Sequence, residues 1–276
     1  MLDTSLPSLS ALAVDDSAGR VYLASKAANT VLAMDFSGNQ VAVRSSLAQP
    51  SALAVGDGNV YALLSGTGQV VRLDPVTLQP TVVAGGLIEA GGLAFTNGAL
   101  YTVAKSGGSP KLLRIAPANG ALTDPGFAPT ESAGVLYASP RRPGSLYMMR
   151  QLGYSPGGLF RFDLATLATN YKHETPEQFE ILPDGHLVTG SGISDKPGGL
   201  LARDGESMEL SGRRWLMSNT QYQPAAWGAS AQAIAIARYD IVEVRSLFQT
   251  GDSFRSFQLL NNYYVTRGGV AMSADS

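Results

Sequence analysis

Cysteine is absent from this 276-residue chain. That excludes a disulfide framework, a thiolate nucleophile and any Cys-ligated metal. A cysteine-free chain suits reducing and oxidising surroundings alike, so a cytoplasmic and an extracytoplasmic (secreted or periplasmic) location both stay open. Charged residues make up only 15%, with 22 acidic against 20 basic and a formal net charge of −2. No long run of either sign occurs, which argues against nucleic acid and polybasic membrane contacts. Long apolar runs are missing as well. The longest candidate, residues 81–95, is interrupted by Glu89 and four glycines and is too short to span a bilayer. Residues 1–16, MLDTSLPSLSALAVDD, lack a basic region followed by an apolar core and are not expected to act as a signal peptide. A secreted protein without its leader reads the same way. P-loop, dinucleotide-binding and N-x-S/T motifs do not occur.

What the chain has in quantity is apolar residues (45%) and 31 glycines. The first supports a sizeable core and the second points to many turns. The stretch SALAVGDGNVYALLSGTGQVVRLD, residues 51–74, reads as three short strands separated by tight turns, and related versions recur. Aligned on the last apolar residue of the first strand, they give Val14, Val55, Phe95, Tyr137, Ile181, Gly228 and Met272, at spacings of 41, 40, 42, 44, 47 and 44 residues. A period of this length built from short strands is the signature of a β-propeller blade.

The second strands are GRVYLAS (19–25), GNVYALLS (58–65), GALYTVA (98–104), GSLYMMR (144–150), GHLVTGS (185–191) and AQAIAIA (231–237), with Tyr22, Tyr61, Tyr101 and Tyr147 in register. Glycine ahead of these strands suits a hairpin position with positive φ. The third strands are TVLAMD, QVVRLD, KLLRIA, GLFRFD, GLLARD and DIVEVR. Asp74-Pro75, Asp163-Leu164 and Asp204-Gly205 then open turns toward weaker outer strands such as residues 40–45, 80–84, 207–211 and 254–260. No 3.6-residue periodicity persists. The prediction is therefore an all-β, six-bladed β-propeller of four-stranded antiparallel blades in a single domain over residues 1–276. Its blades span about 9–46, 51–85, 90–126, 132–173, 177–212 and 222–260. Residues 213–224 are expected to form a long connection carrying Trp215. Residues 261–276 contain Gly269-Val270-Ala271-Met272, a first-strand pattern, and form either a closing strap or the start of a further repeat.

The repeats resemble those of NHL and YVTN-type β-propellers, within the wider group that includes gluconolactonase-like proteins. The resemblance rests on x-L-A-V-x-x-x-G-x-V-Y and V-x-R-L-D and covers nearly the whole chain. It speaks to fold rather than function, because propellers host binding, scaffolding and several chemistries. It implies that the loops leading into the first strands share a face with the second-to-third hairpins, and that this face holds the ligand. On that face the residues to watch are Lys26, Lys105, Arg150 and Arg238 after the second strands, with Tyr154 and Tyr239 as stacking surfaces. Before the first strands stand Glu89, Glu131, Glu177 and Gln178, and in the sixth unit Tyr222 and Gln223. The same charges also suit ordinary solvated strand ends.

A gluconolactonase-like reading implies a divalent metal held near the axis by Glu, Asn and Asp. Here Glu89, Glu131 and Glu177 would be the oxygen ligands for Ca²⁺, but no Asn stands at an equivalent strand end. His173 in an outer strand and His186 in a hairpin belong to different layers, which argues against a shared His-ligated zinc site. Gly153-Tyr154-Ser155-Pro156-Gly157 matches G-x-S-x-G, yet no helix pattern follows, so a turn is expected rather than a nucleophile elbow. Trp227 belongs to a first strand, and residues 261–264 (NNYY) form a polar-aromatic loop. Two functions fit: a non-catalytic interaction module that binds a protein partner, polar small molecule or glycan through its charged rim, with no cofactor, or a Ca²⁺-assisted hydrolase or lactonase. A spacer without a rim function is a third.

Overall fold

The computed structural model describes residues 8–127, 135–139, 142–152, 155–172, 179–181, 185–190, 199–216, 226–229, 233–238, 241–246 and 254–258. These residues form strands and turns, grouped in six four-stranded sheets, each with its strands in chain order. The first sheet holds β1 (Ala11–Asp15), β2 (Arg20–Ser25), β3 (Thr30–Asp35) and β4 (Gln40–Arg44). The second holds β5 (Pro50–Gly56), β6 (Asn59–Leu64), β7 (Gln69–Leu73) and β8 (Pro80–Ala84). The third holds β9 (Ile88–Thr96), β10 (Ala99–Ser106), β11 (Ser109–Ile115) and a two-residue β12 (Leu122–Thr123). The fourth holds β13 (Val135–Ala138), β14 (Ser145–Leu152), β15 (Ser155–Asp163) and β16 (Thr169–Lys172). The fifth holds β17 (Phe179–Ile181), β18 (Leu187–Gly190), β19 (Gly199–Arg203) and β20 (Leu210–Leu216). The sixth holds β21 (Ala226–Ala229), β22 (Ala233–Arg238), β23 (Ile241–Ser246) and β24 (Phe254–Gln258). By compactness the chain divides into two units, residues 1–150 with 161–169 and residues 151–160 with 170–276.

Within the first unit, period-two alternation places apolar residues on both faces of the sheets. Val60, Ala62 and Leu64 of β6 pack against Tyr22, Ala24, Val31 and Ala33 of the first sheet. The intervening Tyr61 and Leu63 pack against Leu93, Leu100, Leu113 and Ile115 of the third. Each large side chain buried in this way contributes roughly 2 kcal/mol. The aligned tyrosines are core residues: Tyr22, Tyr61, Tyr101 and Tyr147 are at most 5% exposed. Burial pushes the phenols of Tyr22, Tyr61 and Tyr147 above their usual range. Tyr61 stacks on Phe95 at 5.9 Å, and any Cβ at Gly56 would fall inside the Phe95 ring.

The turn after the third strand repeats almost unchanged. Asp74 Oδ1 accepts from Val76 N (3.0 Å), Thr77 N (2.7 Å) and Thr77 Oγ1 (2.9 Å). Asp163 Oδ1 accepts from Ala165 N and Thr166 N, and Asp204 Oδ1 from Glu206 N, Ser207 N and Ser207 Oγ. Leu78, Leu167 and Met208 then take left-handed φ of 56°, 59° and 60°, and each N–H donates back to the carbonyl of its aspartate. This conformation costs a non-glycine residue about 1 kcal/mol or more. Complete burial of Leu78 and Met208 offsets it. The third sheet has Ala116 in place of the aspartate and Gly120 (φ 70°) in the left-handed position. Backbone N–H donation, led by Thr77 and Thr166 respectively, holds the Asp74 and Asp163 carboxyls below their ordinary range, and the Asn39 side chain does the same for Asp35.

This turn also relocates one element. The expected outer strand over 207–211 begins later, because the Asp204 turn occupies residues 205–209; β20 runs to Leu216, with Trp215 opposite Leu200. Trp215 is thus a strand residue and not part of a long connection. In the second unit, Tyr171 covers Gly158 so closely that a Cβ there would strike its ring, and it lies tilted on Phe160 at 4.6 Å.

Candidate functional site

The end of the sheets opposite the aspartate turns is where the sequence placed its rim. Here the segments leading into β1, β5 and β9 are bonded to second-to-third hairpins of their own or the preceding sheet. Ser10 N donates to Ala24 O (2.8 Å), Ser10 Oγ donates to Pro50 O (2.7 Å) and accepts from Lys26 N (3.1 Å). Leu47 N donates to Asn29 O (2.9 Å), while Gln49 N donates to Asn29 Oδ1 (3.0 Å). Gln49 O accepts from both Ser65 N and Ser65 Oγ at 3.0 Å, and Leu87 N donates to Gly68 O at 3.0 Å. A Cβ at Gly68, whose φ is 61°, would run into Leu87 O. These loops are fastened by backbone groups together with the Ser10, Asn29 and Ser65 side chains, and the Ser8 and Gln49 side chains take no part.

At this end three residues share one conformation. Ser8, Gln49 and Glu89 have φ of 54°, 56° and 48°, and all three are exposed. Each stands six residues before the alignment point of its first strand, Val14, Val55 and Phe95. Sequence reading selected Glu89 here but missed Ser8 and Gln49. The common offset was the available signal, obscured because the three side chains differ in charge and size. Glu131 has the same offset from Tyr137.

Glu89 lies within β9 rather than ahead of it, because Ile88 pairs with Lys105 across an irregular register. Its carboxylate and Lys105 form an ion pair, Nζ to Oε1 at 2.6 Å, with the side chains 36% (Lys105) and 57% (Glu89) exposed. A candidate ligand-binding cation and a candidate metal ligand are thus partners. Near the same end of the third sheet, Lys111 Nζ lies 3.1 Å from Asp124 Oδ2. The Gly126 N–H, with help from Lys111, draws the Asp124 carboxyl below its usual range. Lys26 is exposed in the hairpin after β2, and among the described residues no carboxylate reaches its ammonium.

Arg150 lies on β14 and Arg238 ends β22. Tyr154, Tyr239, Glu131 and Glu177 fall outside the described residues, as do His173, Gln178, Tyr222, Gln223 and residues 261–276. Among the described residues no three His, Asp or Glu side chains gather as a metal site. Ser155 of the G-x-S-x-G match begins strand β15, and the chain continues as strand through Asp163. No helix among the described residues is long and apolar enough to cross a membrane.

No family model matches the chain, and comparison with curated proteins gives no match. Solved structures do match. A streptogramin B lyase structure superposes with a TM-score of 0.67 at 13% identity, covering 99% of this chain and 91% of that one. The Dos1 propeller gives 0.65 at 14% identity, with 97% and 73% covered. The fold is a β-propeller. A chain of a nidogen/laminin complex structure gives 0.57 at 14% identity, with 76% of this chain and 80% of that one covered. At these identities the likeness speaks for architecture alone, since one propeller scaffold carries unrelated sites. Within this propeller the strand ends just described, with constant backbone and changing side chains, are the candidate site.

Proposed function

We propose that this propeller is a non-catalytic binding module that recognises a protein partner or polar ligand through its rim loops. One observation carries the reading: Ser8, Gln49 and Glu89 present different exposed polar side chains from one left-handed backbone position on three successive sheets. A recognition surface needs a fixed backbone with freely chosen side chains, as loops on a rigid scaffold provide. Lys26 adds an exposed cation to this rim, while the Lys105–Glu89 and Lys111–Asp124 pairs keep the third sheet's share locally neutral. The same pairing weighs against the metal-assisted hydrolase, because the Glu89 carboxylate already has its counter-charge. Solved neighbours include both a lyase and a protein–protein complex, so fold likeness does not choose between the two.

The test is binding of arrayed glycans and peptides to wild type and to Lys26→Ala and Gln49→Ala, each with and without a calcium chelator. Binding that survives chelation and is lost in the rim variants supports the reading. Binding unchanged in both variants, or calcium-dependent turnover of lactones or esters, overturns it.

A further inference from the structure

The chain contains two Asn-Gly steps, Asn97-Gly98 and Asn119-Gly120, and the structure treats them differently. Asn97 and Gly98 are the two central residues of the hairpin between β9 and β10, closed by the Thr96–Ala99 pair, with φ of 49° and 67°. Both are exposed, and a Cβ at Gly98 would meet nothing within 4 Å. No hydrogen bond from a described residue holds the Asn97 amide or the Gly98 N–H. Asn119 is equally exposed, but Asn119 Oδ1 accepts from Ala121 N at 3.1 Å and Gly120 N donates to Ala116 O at 2.8 Å. A Cβ at Gly120 would also strike Val83 O, so this turn is clamped against the neighbouring sheet.

We propose that Asn97 is a site of spontaneous deamidation, and that Asn119 is protected from it by its turn. The Gly98 amide nitrogen attacks Asn97 Cγ, forming the N–Cγ bond of a succinimide. The Cγ–Nδ2 bond breaks, and ammonia leaves with the proton given up by the Gly98 nitrogen. Water then opens either carbonyl of the ring to give aspartate or isoaspartate. The reaction is favoured at Gly98 because glycine offers no side chain to hinder the approach. At Asn119 the nucleophilic N–H and the amide oxygen would both have to leave hydrogen bonds first.

The two products have different structural consequences. The second sheet already carries aspartate at this hairpin position, since Asp57-Gly58 has φ of 50° and 69°. Aspartate at position 97 therefore keeps the turn and adds one negative charge. Isoaspartate inserts an extra main-chain carbon into a two-residue loop, which the Thr96–Ala99 pairing cannot accommodate.

Folded protein incubated at mildly alkaline pH, then peptide-mapped by mass spectrometry that separates aspartate from isoaspartate, tests the proposal. Asn97 is expected to convert faster than Asn119 by on the order of tenfold or more, the effect of the two hydrogen bonds. In urea the two rates should converge, because both sites precede glycine. Equal conversion in the folded protein, or faster conversion at Asn119, overturns the proposal. So does a site ratio that stays the same when the chain is unfolded. Asn97→Asp should melt at the wild-type temperature, and a large drop would overturn the comparison with Asp57.

Discussion

At one end of the sheets, Asp74, Asp163 and Asp204 make the same turn with the same hydrogen bonds. At the other end, Ser8, Gln49 and Glu89 share a backbone conformation but no side-chain chemistry. In these three turns the aspartate side chain adds its bonds to a backbone closure, whereas the third sheet closes the corresponding turn from Gly120 N to Ala116 O with no side chain at all. In the rim loops the fasteners are backbone bonds such as Ser65 N to Gln49 O and Leu87 N to Gly68 O, helped by the side chains of Ser10, Asn29 and Ser65 but not by those at the three left-handed positions. Side chains at positions 8, 49 and 89 can therefore differ there. A repeat protein can specialise one end of its sheets without touching the other, because the side chains that differ at the rim are not the ones that hold the chain.

Breaking the turn end should cost the most. Gly120→Val places a side chain against Val83 O at a left-handed φ, and a loss of about 3 kcal/mol or more is expected in urea unfolding. An unchanged unfolding midpoint would mean that this turn does not clamp the sheets. Next in size, Asp74→Ala removes an acceptor for three donors and should lower the melting temperature by a few degrees. The same substitution at exposed Asp57 should do markedly less.

Acid supplies a graded version of that experiment. The carboxyls of Asp35, Asp74 and Asp163 are depressed in the folded state, so their stabilisation is full above the unfolded value of about 4. It is lost as pH falls through the lower folded values. Melting temperature should therefore drop below about pH 4, and Asp74→Asn should flatten part of that drop. A pH profile identical in the variant would show that the turn carboxylate is not titrating as described.

The rim end should respond least. Glu89→Gln breaks a partly exposed ion pair and should change stability by less than about 1 kcal/mol. It leaves Lys105 uncompensated, so any rim binding of an anionic ligand should strengthen at low salt. Lys26→Ala should leave the melting temperature unchanged while weakening rim binding. A destabilisation comparable with Asp74→Ala would erase the distinction between the two ends.

Much of the fold was legible because it is periodic. Alternating apolar residues marked all six sheets, glycine preceded the second strand in five of them, and the aspartates after three of the third strands marked the turns. Reading failed where a turn consumed more chain than its sequence advertised, as at Asp204, where residues 205–209 displaced the outer strand and drew Trp215 into it. The candidate site was less legible. Lys26, Lys105 and Glu89 were visible as charges at strand ends. Gln49 and Ser8 were not, because a left-handed φ leaves no trace in a residue that is neither glycine nor asparagine.

The sequence by itself determined the repeat, its strands and the chemistry of its turns, since each depends on neighbours a few residues away. Only tertiary structure decided that Glu89 neutralises Lys105, that Leu87 O fills the space at Gly68, and that Asn119 is held where Asn97 is not. Those outcomes depend on atoms brought together by sheet packing or by turn closure, and hydrophobic patterning specifies such meetings only after the sheets have assembled.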